Sequence, residues 1–168
     1  MKSLILYYSR TGKTRFLAEK LGNELAADLI EIRDLKKRGG LFGFLRGVRD
    51  AYFGLKTEVA PSGFDLSKYE LVIVGTPVWA YSPTPALMTF LDGCDLTNKK
   101  VILFVTSRGV GYCRALDILK AKVEEKEGRV VGIGSVKTWL RGEKHLSREA
   151  IKLAESWKTG AQILWMKR

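Results

Sequence analysis

Hydrophobic residues run almost without a break through positions 2–8 (KSLILYY), where a strand with one wet face would alternate with polar residues. From Thr14 the period changes. Leu17, Leu21 and Leu25 recur every fourth residue, the spacing of one helical face. The same switch recurs down the chain. LIEIRDL (29–35), ELVIVGTP (70–77), KVILFVTS (100–107) and RVVGIGSVKT (129–138) read as four more strands. Between them lie helical patterns. One starts at Thr84 as cap and Pro85 as first residue and buries Leu87, Phe90, Leu91 and Cys94. A second covers 113–127 and stops at Gly128. The last is capped by Ser147 and carries Ala150, Ala154, Trp157, Ala161 and Leu164. Strands alternating with helices predict an α/β fold. It is a doubly wound, five-stranded parallel sheet with right-handed crossovers, helices on both faces and one domain over 1–168.

The segment 36–58 departs from this rhythm. In KKRGGLFGFLRGVRDAYFGLK (36–56), Leu41, Phe44, Leu45, Val48, Tyr52 and Leu55 form one stripe, predicted to face the core. Phe42 and Phe53 fall beside it, near Arg46 and Arg49. A basic, aromatic-edged face of this kind suits an acidic partner or an anionic membrane.

Charge extends that theme. Lys and Arg number 29 against 18 Asp and Glu, a net charge of +11, which favours anionic partners. Nucleic acid is not expected, because no aromatic–basic recognition motif accompanies the charge. No apolar run approaches the ~20 residues of a membrane span, and MKSLILYY is too short for a signal peptide. A cytoplasmic protein is expected. Cys94 and Cys113 have no C-x-x-C or metal-ligand spacing and read as free thiols, and the lone His145 fits no metal site. No side chain presents itself as an acid, base or nucleophile.

Candidate chemistry gathers in three loops that leave strand C-termini, where ligands of open α/β sheets bind. The first, Ser9-Arg10-Thr11-Gly12-Lys13-Thr14, offers hydroxyls, a glycine and a helix N-terminus, the chemistry of a phosphate monoester site. Its Gly-Lys-Thr is not a nucleotide triphosphatase loop, because Tyr7 stands where that motif needs glycine. No G-x-G-x-x-G is present either. The second loop, GTPVWAYSPTP (75–85), places Trp79 and Tyr81 where a flat ligand could lie against them. The third, TSRGVGYC (106–113), has two glycines for close backbone approach and Tyr112 as a ring contact. A phosphate at one loop and a planar ring between two others describe a site for flavin mononucleotide, FMN.

In those three motifs the chain resembles the flavodoxin-like family. Ser9, Thr11, Gly12 and Thr14 match its phosphate loop, and the other two loops follow in order over nearly the whole chain. The resemblance implies a flavodoxin-like sheet in the order 2-1-3-4-5 and FMN as cofactor. Ser9, Arg10, Thr11, Gly12, Lys13 and Thr14 would hold the phosphate. Thr76, Pro77, Val78, Trp79, Ala80 and Tyr81 would flank the ring. Ser107, Arg108, Gly109, Gly111 and Tyr112 would meet its pyrimidine side. The function implied is electron transfer through bound flavin, with a redox partner protein or an NAD(P)H reductase as partner. The alternatives are an NAD(P)H-dependent oxidoreductase acting on quinones or other small acceptors, and a flavin-free interaction module.

Overall fold

Why the apolar runs are unbroken is plain from the sheet. In the computed structural model, which describes residues 2–36, 40–62 and 64–159, six strands lie in the order β3-β2-β1-β4-β5-β6. The elements in chain order are β1 (Ser3–Tyr8), α1 (Lys13–Leu25), β2 (Asp28–Asp34), α2 (Gly40–Tyr52), β3 (Val59–Ala60) and β4 (Leu71–Pro77). They continue with α3 (Pro85–Asp92), β5 (Lys100–Ser107), α4 (Tyr112–Glu125), β6 (Arg129–Lys137) and α5 (Glu143–Lys158). Five strands are parallel and take the predicted 2-1-3-4-5 order. The sixth, the two-residue β3, adds antiparallel to β2 at the edge.

All six residues of β1 are buried, and so are the first six of β4. Alternate residues point to opposite faces. Leu4, Leu6, Val72, Val74 and Leu103 meet Leu87 and Leu91 of α3 and Leu119 of α4 on one face. Ile5, Tyr7, Ile73 and Phe104 meet Leu17 and Leu21 of α1 and Leu146 and Leu153 of α5 on the other. Gly75 is dictated by this second core, since a Cβ there would lie 2.1 Å from Phe104 Cζ.

Three local expectations change. Helix α5 begins at Glu143 behind Gly142, so Ser147 is inside the helix and not its cap; Ala161 and Leu164 lie outside the described residues. Thr84 does sit at the α3 N-cap with Pro85 behind it. Its hydroxyl, however, is 2.9 Å from that of Thr76 and makes no cap bond. The third change is α2, whose side chains at Leu41 and Phe44 lie outside the described residues. Its inward side is taken by Gly47, Asp50 and Ala51. Val48 is half-buried against the core, whereas Leu45, Tyr52 and Leu55 are exposed. Of the described stripe residues, only Val48 turns toward the core and the other three face outward. Small residues let the helix backbone approach closely, so the face that docks is the one with Gly47 and Ala51 and not the most apolar one.

Candidate functional site

At the C-terminal ends of β1, β4 and β5 the sheet opens into a cleft of about 390 Å3. The order of strands reverses here, since β1 is followed by β2 on one side and β4 on the other. Eleven of the residues expected at the site line it: Arg10, Thr11, Lys13, Thr14, Pro77, Val78, Trp79, Ala80, Tyr81, Ser107 and Arg108. Leu45, Val48, Thr106, Val110 and Thr138 line it too. The charged side chains of this lining are Arg10, Lys13 and Arg108; among the described lining residues none is a carboxylate.

The first loop gathers unpaired donors at a helix start. Gly12 takes a left-handed φ of 83° and turns the chain into α1 with open space around it. No side chain caps α1, so its first N–H groups keep their capacity for a ligand. Ser9 Oγ is out of contact with solvent and has no hydrogen-bond partner among the described residues. An unpaired buried hydroxyl is costly, roughly 1–3 kcal/mol, unless something else completes it. Thr14 is buried, and its Oγ1 lies 2.8 Å from Thr106 Oγ1. Two hydroxyls carry two protons and use one between them, so the pair retains a donor. Thr11 is exposed at the mouth. These donors fit a phosphate.

The second loop is held by strain and by a neighbour. Trp79 and Ser82 exchange both backbone hydrogen bonds at 2.9 Å around a two-residue turn. Ala80 and Tyr81 occupy that turn with φ of 46° and 63°. Turns of this kind favour Asn-Gly, and left-handed L-residues cost about 1–2 kcal/mol each. The sequence Ala-Tyr gave no sign of the turn. The two aromatics then differ. Trp79 is buried with its ring edge-on to Tyr8, centroids 5.7 Å apart, while Tyr81 is half-exposed at the mouth. Gly111 of the third loop lies against Tyr81, and a Cβ there would come within 2.9 Å of Tyr81 Cα.

Six expected positions are not in the lining. Ser9 and Gly12 shape the first loop from beneath. Thr76 is fully buried and accepts from Thr84 N–H at 3.3 Å, so it fixes the turn from inside. Gly109 donates its N–H to Ser107 Oγ at 3.1 Å, Gly111 caps α4, and Tyr112 packs partly into the core.

A fourth loop, 138–142 between β6 and α5, was not anticipated. Thr138 N–H donates to Ser107 O at 2.9 Å. The Arg108 guanidinium lies 4.4 Å from the centroid of the Trp139 ring, a cation–π pair. Lys13 Nζ donates to Arg141 O at 2.8 Å. This loop thus touches two of the three cations of the cleft. Its only sequence signal was Trp139, an aromatic just beyond a strand C-terminus. Cys94 takes no part: burial pushes its thiol up to about 11 and keeps it protonated. Among the described residues no cluster of His, Cys, Asp and Glu could hold a metal, and no helix is long and apolar enough to cross a membrane.

This architecture has relatives. The flavodoxin family model matches residues 53–141, more than half of the chain. A flavodoxin from Nostoc sp. is 27% identical over 139 residues, covering 78% of this chain and 68% of that one. One from Haemophilus influenzae is 26% identical over 136 residues, covering 76% and 65%. The crystal structure of a flavoprotein in complex with FMN from Lactobacillus acidophilus superposes with a TM-score of 0.70 at 27% identity, over 80% of this chain and 92% of that one. Oxidised flavodoxin 1 from Bacillus cereus, at 19% identity, shares the fold with a TM-score of 0.63 over 95% and 98%. This chain belongs to the flavodoxin family.

Proposed function

We propose that the cleft binds FMN and that the protein is an electron carrier working through this flavin. The observation that carries the reading is the Ser9 hydroxyl, buried and unpartnered beside the uncapped start of α1. A phosphate monoester would complete it. The FMN-bound relative from Lactobacillus acidophilus adds support.

Bound FMN supplies the redox chemistry. The chain's own groups bind and orient. Ser9, Thr11, Thr14 and the N–H groups at Gly12 and beyond hold the phosphate, and Arg10 and Lys13 offset its charge. Pro77, Val78, Trp79, Ala80 and Tyr81 set one wall for the ring. Ser107 and Arg108 line the opposite side, where they would meet the ring's pyrimidine edge, and Gly109, Gly111 and Tyr112 would shape that wall from behind. Buried Trp79, braced by Tyr8, keeps water from that wall. In this reading electrons arrive from a reductase or another redox protein, and the protein works in the cytoplasm.

A second reading, an NAD(P)H-dependent oxidoreductase for quinones or small acceptors, is favoured by the basic mouth with Arg10, Lys13 and Arg108, which suits an anionic reductant. The test is FMN content by absorption, then NADH and NADPH oxidation by the loaded protein alone. A carrier shows almost no turnover until a reductase is added. Turnover without one makes it an enzyme. Failure to take up FMN removes both readings and leaves a flavin-free interaction module.

A further inference from the structure

Among the described residues nothing covers the outer face of α2. Phe42 is 87% exposed and Phe53 66%, with Leu45 and Tyr52 also open to solvent. Exposed aromatics of this size, gathered on one helix and its end, mark a surface that something covers. The charge around them is one-sided. Arg46 and Arg49 are exposed, and the sole carboxylate of α2, Asp50, is buried and paired with Arg49 at 3.0 Å. A second tip stands out on the 138–142 loop, whose Thr138 lines the cleft: Leu140 is 88% exposed with a φ of 53°, next to half-exposed Trp139. Leu45 belongs both to the outer face of α2 and to the cleft lining.

We infer that the outer face of α2 docks this protein on an anionic lipid surface, with the Trp139–Leu140 tip as a second contact. Tyr52 and Phe53 form one edge-to-face pair with ring centroids 5.3 Å apart, while Phe42 sits near the other end of the helix and Leu140 on a separate loop tip. A bilayer interface takes up rings at any spacing, whereas a protein partner needs a matching pocket for each. Aromatic and leucine side chains enter the headgroup boundary, and arginines beside them meet lipid phosphates. The net charge of +11 strengthens attraction to such a surface and opposes a second copy of the same chain. Docking in this way sets the cleft at the lipid surface, because Leu45 joins the two. It does not depend on FMN.

Flotation of the full-length protein, with and without FMN, tests this with phosphatidylcholine vesicles that contain or lack phosphatidylglycerol. Binding is expected with the anionic vesicles at moderate salt. Phe42→Ser with Phe53→Ser should weaken it by about tenfold or more for each ring that enters the interface. Arg46→Glu should weaken it by about tenfold or more. Arg49 is kept, because it pairs with the buried Asp50. The altered side chains are exposed, so circular dichroism and FMN uptake should match wild type. Unchanged binding by the double Phe variant would reduce the effect to adsorption by net charge and overturn the inference. So would absence of vesicle binding, including the case in which the protein instead binds immobilised polyglutamate through Arg46, which would assign the face to an acidic protein.

Discussion

The two ends of the cleft are built in different ways. The end proposed for the phosphate is mostly local: one loop, residues 9–14, and the helix that follows it, with Thr106 and the backbone of Arg141 as distant contacts. The ring end is assembled from pieces far apart in sequence. A strained turn at Ala80 and Tyr81 leans on Gly111, Ser107 receives the N–H of Thr138, and Arg108 stacks on Trp139. A local anion site needs only N–H groups and hydroxyls at the right offsets along the chain. A slot for a flat ring needs two walls at a fixed separation, and only tertiary contacts fix that distance. Variants at the phosphate end should therefore discriminate between FMN and riboflavin, which lacks the phosphate, and variants at the ring end should not.

The largest expected effect is at the phosphate end. Thr11→Ala with Thr14→Ala should remove hydrogen bonds to a charged group worth roughly 1.5–3 kcal/mol each. Titration should show FMN affinity falling steeply and riboflavin affinity much less; equal losses would dissolve the distinction. Ser9→Ala sharpens it, because its two effects have opposite signs. Removing an unsatisfied buried hydroxyl should leave the flavin-free protein as stable or more stable in urea, while FMN binding weakens by about 1.5–3 kcal/mol. A loss of stability without a loss of FMN affinity would make Ser9 merely structural.

At the ring end, Gly111→Ala forces a left-handed φ of 75° on an L-residue and pushes a methyl to within 2.9 Å of Tyr81 Cα. The strain is about 1–2 kcal/mol before the clash. FMN and riboflavin should lose affinity alike. A loss confined to FMN would place Gly111 at the wrong end.

Arg108 reaches the ring end by charge. If its guanidinium lies ~6 Å from the negative charge that reduction adds to the flavin, at an effective dielectric of ~20, the attraction is about 2.8 kcal/mol. That is on the order of 100 mV for one electron, an upper limit because water and salt screen an exposed cation. Arg108→Gln should lower the potential of the second electron within that limit. Trp139→Leu, which frees the guanidinium from its stacked position, should lower it by less. A shift under about 20 mV in the Arg108 variant, far below the electrostatic limit, would remove this residue from the flavin's environment.

The smallest effect belongs to the opposite pole of the sheet and serves as a control. Tyr69 Oη donates to Asp28 Oδ2 at 2.7 Å, and Lys2 lies 3.4 Å from the same oxygen. The Tyr69 bond first, then Lys2, holds the Asp28 carboxyl below its ordinary range. A carboxylate whose pKa is lowered by folding adds stability above its unfolded value and loses it as pH falls through the folded one. Tyr69→Phe should therefore lower the urea midpoint at neutral pH, with a gap to wild type that closes in acid. FMN binding should not change.

Legibility in the sequence followed the same division. Strand runs were readable because a parallel sheet covered on both faces buries every residue of β1, and water exclusion writes that directly into composition. The first loop was readable because helix start, glycine and hydroxyls lie within six residues. Thr76 looked like a ring contact and is instead the inner brace of its own turn, through Thr84. Which way that hydroxyl faces depends on a residue eight positions away.

Helix α2 marks the limit. Its sequence fixes a helix and an apolar stripe, but Gly47 and Ala51 permit a closer approach than Leu45 or Tyr52 could, and the docked face is chosen by that approach. The fourth loop is a similar case. Nothing near Trp139 in the chain announces Arg108, 31 positions earlier, as its partner. The parallel pairing of Ser107 with Lys137 brings them together. Periodicity along a chain reports which residues avoid water. Which of them meet, and which are left facing outward, is decided by strand register and by how closely two backbones can pack.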